Sequence, residues 1–140
     1  MYLLRFPFFV LLVAILTACN SQSSSINTKK ELQTIGSWTA TAHLLVDEWL
    51  QGAVPNVYAR QTLQKVEQNL QQEADTLTKA DLVREYPDLP TQLQQIQQSV
   101  HLLSAAIAQG NRATVTQKVQ QLATQEQELH RLRNSLEAQP

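Results

Sequence analysis

Residues 89–107 read LPTQLQQIQQSVHLLSAAI, and within them Leu89, Leu93, Ile96, Val100, Leu103 and Ile107 recur at alternating steps of four and three. An α-helix turns once in 3.6 residues, so this spacing puts all six on one stripe. A strand needs alternation by two, which this segment lacks. Gly110-Asn111 follows. A glycine past a helix end accepts the left-handed conformation, and an asparagine can then cap the next helix. The segment predicts an amphipathic helix with one face in a core.

The same period extends in both directions. Downstream, Val115, Val119, Leu122, Leu129, Leu132 and Leu136 form a fourth stripe, interrupted at Gln125-Glu126. Upstream, Leu32, Ile35, Trp38, Ala42, Leu45 and Trp49 form the first, with Thr28 and Glu31 spaced as a capping box at its start. It ends near Gln51-Gly52, with Pro55 just beyond. Asn56 then caps a second helix carrying Ala59, Leu63, Val66, Leu70 and Leu77. Thr78–Pro90 is mixed: Leu82 and Tyr86 can pack, while Pro87 and Pro90 stop helix propagation. Four such segments joined by short turns predict an all-α fold, an antiparallel up-down four-helix bundle over residues 28–140. The rival arrangement is two helical hairpins that dimerise or dock on a partner.

Composition agrees with helices. The chain has 140 residues, 6% aromatics and about one Gln in seven. Sheets favour β-branched and aromatic residues, whereas Gln is a good helix former. Eleven basic and twelve acidic residues give a formal charge of −1, without the basic excess that nucleic-acid binding requires. One Cys excludes an intrachain disulfide framework.

That Cys is placed informatively. Phe6–Leu16 (FPFFVLLVAIL) is an almost unbroken apolar run of about eleven residues, preceded by Arg5 and followed by Thr17-Ala18-Cys19. Such a run fits the hydrophobic region of a signal peptide and is short for a span of about 20 residues. Leu16-Thr17-Ala18-Cys19 resembles the lipobox of bacterial lipoproteins. The resemblance implies that residues 1–18 are a cleaved signal peptide and that Cys19 carries diacylglycerol on its thiol. It implies a partner, the lipid bilayer, and a location, the cell envelope. Asn20 is not the Asp that favours inner-membrane retention, so the implied site in a Gram-negative host is the outer membrane. Ser21–Asn27 (SQSSSIN), polar and without periodicity, reads as a flexible tether, making 19–27 the lipidated Cys and its linker.

Residues able to do chemistry are few. His43 and Asp47 are an i,i+4 pair, Glu126 and His130 another, and His101 borders the third stripe. All three histidines read as solvated or boundary residues. There is no Glu-x-x-His, no Cys-x-x-Cys-His, no Gly-x-Ser-x-Gly, and with three glycines no phosphate-binding loop. We expect no enzyme, no cofactor and no metal. Trp38 and Trp49, eleven residues apart, share one helical face and serve either as core or as a groove for a partner. The expected function is a membrane-anchored, non-catalytic scaffold or accessory subunit contacting another envelope protein. The alternative is a small-ligand or metal carrier using the bundle interior. The lipid-anchored four-helix shape is similar to that of some extrinsic photosystem lipoproteins of cyanobacteria, a likeness of shape without a shared motif.

Overall fold

A computed structural model describes residues 20–79 and 82–138. Residues 1–19, on which the expected signal peptide and lipobox with Cys19 fall, lie outside the described residues. Among the described residues five helices follow one another: α1 (Asn20–Leu50), α2 (Asn56–Lys79), the single turn α3 (Leu82–Glu85), α4 (Leu89–Ala108) and α5 (Arg112–Glu137). The protein is all-α. The four long helices form a ring in which α1 packs on α2 and α5, and α4 packs on the same two.

Neighbours in the ring run antiparallel. Arg112, first in α5, donates to the carbonyl of Leu50, last in α1, and further along the same pair His43 meets Glu126. In the neighbouring pair on the opposite side of the ring, Gln97 of α4 donates to the carbonyl of Leu70 in α2, and His101 meets Glu67. Residue numbers rise on one helix as they fall on the other.

The α4 stripe is buried as its spacing predicts. Leu89, Leu93, Ile96, Val100, Leu103 and Ile107 belong to one core with Leu63, Val66 and Leu70 of α2 and Val115, Val119 and Leu122 of α5. From α1 come Leu32, Ile35, Ala42, Val46 and Trp49. Leu82 on α3 is buried in the core and Tyr86 packs against that core, so the described part of the mixed stretch covers part of it.

Both tight turns close in the same way. After α4, Gly110 (φ 65°) donates to the carbonyl of Ile107 and Asn111 to that of Ala106. After α1, Gly52 (φ 80°) donates to Trp49 and Ala53 to Glu48. This is the paired hydrogen bonding that a left-handed glycine permits at a helix end. Asn111 then caps α5 by accepting from the backbone N–H of Thr114 at 3.1 Å.

Three local expectations are corrected. Helix α1 starts at Asn20, so Ser21–Asn27 are helical rather than a tether, and Thr28 is a buried interior residue rather than a cap. Ser, Asn and Gln cost at most about 0.7 kcal/mol each in a helix relative to Ala. Once Leu32 and Ile35 hold the helix to the core, extending it needs no new nucleus. Asn56 does not cap α2: it is the first residue of the helix, with the N–H of Ala59 donating to the carbonyl of Pro55, and its side-chain oxygen accepts from the indole N–H of Trp49. Pro90 ends nothing. It sits in the first turn of α4, where its missing N–H has no partner to lose.

Candidate functional site

The Trp residues named from the sequence occupy different environments. Trp49, in the last turn of α1, is 5% exposed. Its indole N–H is satisfied by Asn56, and the guanidinium of Arg112 stands 5.3 Å from its ring centroid. Trp38 is half-buried and packs against the core from the side. Trp49 therefore seals the α1–α2 end of the bundle, while Trp38 retains a solvent-facing edge.

The densest group of titratable side chains lies between α1 and α5. His43 Nδ1 is 3.1 Å from Glu126 Oε2, and its Nε2 is 3.4 Å from Asp47 Oδ2. Spacing along the chain revealed the Asp47 contact. Glu126, 83 residues away, is brought in only by the packing of α5 on α1. The two carboxylates face opposite edges of one imidazole instead of converging on a common point, and convergence is what a metal requires. Among the described residues, no group of three or more His, Cys, Asp or Glu is arranged to hold a metal ion. His130 does not pair with Glu126, its i−4 neighbour; it lies 3.3 Å from Arg133. His101, largely exposed, meets Glu67 at 3.1 Å and ties α4 to α2.

On the other side of α1, Glu31 shares the α1–α2 seam with Glu73. Burial, and secondarily the charge of Glu73, hold the Glu31 carboxyl above its ordinary value, and its Oε2 has no hydrogen-bond partner. Inside the core, Gln125 is 7% exposed and its side-chain oxygen also lacks a partner. The interruption in the fourth stripe is thus a buried amide.

Two features escaped the sequence reading. Arg112 closes over Trp49 through a contact with no sequence pattern. Leu44 is 64% exposed, although Leu45 beside it is in the core. Leu45 and Val46 both face inward, and at about 100° per residue Leu44 lies about 200° from Val46, so the phase of the stripe was the available signal. A groove of about 250 Å³ runs between α1 and α5, lined among others by Gly36, Ser37, Ala40 and Leu129. The chemistry assembled here is that of binding and packing: half-exposed ion pairs, a shallow groove and a core filled by aliphatic side chains. Comparison with protein-family models, with curated proteins and with solved structures gives no match to this chain.

Proposed function

We propose that the protein is a lipid-anchored bacterial envelope protein whose helical domain acts as a non-catalytic scaffold or accessory subunit for another envelope protein. The observation that carries the reading is the lone Cys19 closing Leu16-Thr17-Ala18-Cys19 at the end of the apolar run Phe6–Leu16. A thiolate is the nucleophile that a lipid transfer needs, and small residues before it suit a narrow peptidase groove. Two acyl chains anchor stably where one does not.

Two structural facts support this reading. No described helix is long and apolar enough to cross a membrane, so the described domain offers no span of its own. Core positions on all four long helices are filled mainly by Leu, Ile, Val and Ala side chains, with Trp49 closing one end. The test is mass spectrometry of the membrane fraction. Residues 19–140 should appear carrying acyl groups, and Cys19→Ser should abolish both cleavage and lipid. An unmodified chain that retains Met1, or a Cys19→Ser chain trimmed at the same bond, refutes the anchor.

A further inference from the structure

Helix α1 carries a second stripe, turned away from the core. Lys30, Gln33, Ser37, Ala40, Leu44 and Asp47 follow one another at steps of three and four. At 100° per residue they fall within an arc of about 100°. Their side chains are exposed or half-exposed, and Leu44, at 64%, is the most exposed large apolar side chain among the described residues of this helix. Between Glu31 and Asp47 the helix has no Asp, Glu, Lys or Arg. A solvated helix face normally carries such residues.

A knob and a hole lie on this one face. Leu44 is the knob. The groove bordered by Gln33, Gly36, Ser37 and Ala40, with the buried Leu32 and Leu129 also lining it, is the hole. Those four are the i, i+3, i+4 and i+7 positions that surround a knob in helix packing. A Cβ built on Gly36 meets nothing within 4 Å, so the groove is open at that point. The ends of the stripe are charged oppositely, Lys29 and Lys30 at one and Asp47 and Glu48 at the other.

We propose that this face binds a second copy of itself, α1 against α1 and antiparallel, with each Leu44 seated in the groove of the other chain. A two-fold axis between Ala40 and Thr41 achieves this. It sets Leu44 opposite Ser37, Gln33 opposite Glu48, and Lys30 within about one turn of the other chain's Asp47 and Glu48. A parallel pair would place Lys30 against Lys30 and Asp47 against Asp47, so charge selects the antiparallel sense. The contact is isologous, as closed dimers require. One helix on one helix falls at the low end of specific interfaces, under about 1,200 Å², so the pair is weak and is best trapped covalently.

The test uses the full chain carrying Cys19→Ser, solubilised in mild detergent, with one cysteine introduced at a time. Ala40→Cys, beside the axis, should form disulfide dimers under mild oxidation. Gln33→Cys alone should not, because its two copies lie about 15 residues or 22 Å apart along the pair. A mixture of Gln33→Cys with Glu48→Cys should cross-link. On the Ala40→Cys background, Leu44→Glu and Gly36→Gln should each cut the dimer yield at least about tenfold, with helicity and melting no lower than in the parent; Gly36→Gln should raise melting slightly, because glycine is a poor helix former. Gly36→Gln fills the hole without straining the monomer. Ala40→Cys remaining monomeric, Gln33→Cys cross-linking by itself as readily as the mixture, or yields indifferent to both Leu44→Glu and Gly36→Gln would each overturn the proposal. Because Cys19 is absent throughout, the result does not depend on whether Cys19 is lipidated, which the mass-spectrometric test reads separately.

Discussion

Arg112 lies with its guanidinium 5.3 Å from the centroid of the Trp49 ring and donates to the carbonyl of Leu50, so the first residue of α5 closes over the last turn of α1. One cation thereby covers an aromatic face and satisfies a carbonyl at a helix C-terminus, where positive charge is favourable. The ring beneath is held by its N–H on Asn56.

Truncating that ring should be costly. Trp49→Ala is expected to destabilise by about 3–5 kcal/mol, the range for a buried aromatic. Arg112→Ala should cost about 1 kcal/mol, since exposed cation–π contacts contribute roughly 0.5–1 kcal/mol. In a double-mutant cycle by urea unfolding, Arg112→Ala should matter less once Trp49 is Ala. Additive losses would show that the two side chains act independently.

Gln125 should be a site where removing polarity helps. Its buried oxygen has no partner, and an unsatisfied buried acceptor costs about 1–3 kcal/mol. Gln125→Leu should raise the melting temperature by several degrees, read by circular dichroism. A lower melting temperature would mean that the amide holds the register of α5 against its neighbours.

Glu31 predicts a pH dependence of defined sign. Its carboxyl is raised above the ordinary 4.5 in the folded chain, by burial first and by Glu73 second. The folded state therefore holds the proton over a pH range where the unfolded state has released it, and this group's contribution to stability falls as pH rises through that range. Glu31→Gln should stabilise the protein at pH 7 and give little gain near pH 4, measured as the shift in urea midpoint at each pH. An equal gain at both would show that the effect is packing and not charge.

Much of this was legible in the chain. The α4 stripe, the Gly110-Asn111 break and the packing of Leu82 and Tyr86 follow from spacing and turn chemistry, which are local. The start of α1 was not, because Thr28 and Glu31 imitate a capping box that signals a start only when no helix precedes it. Asn56 has the residue type of a cap, but the helix begins one residue earlier than that role needs, with Pro55 accepting its first hydrogen bond and the Asn56 side chain meeting the Trp49 indole. Of the His43 pair of carboxylates, Asp47 is visible at i+4, whereas Glu126 depends on which helices are neighbours. The exposed Leu44 follows from the phase of the first stripe. Val46 belongs to the core, and that places Leu44 on the far side.

Helix α1 is 31 residues without a break, a rod of about 46 Å. An anchor at Cys19, as proposed, would fall at the residue before this helix, and the domain would then move as a lever hinged at one end. Tilting that rod by about 10° carries the Gly52 turn sideways by roughly 8 Å, and the whole bundle with it. A soft tether would absorb such a displacement; this helix transmits it. The reach of the domain is then set by the angle at its foot and not by the wandering of a chain.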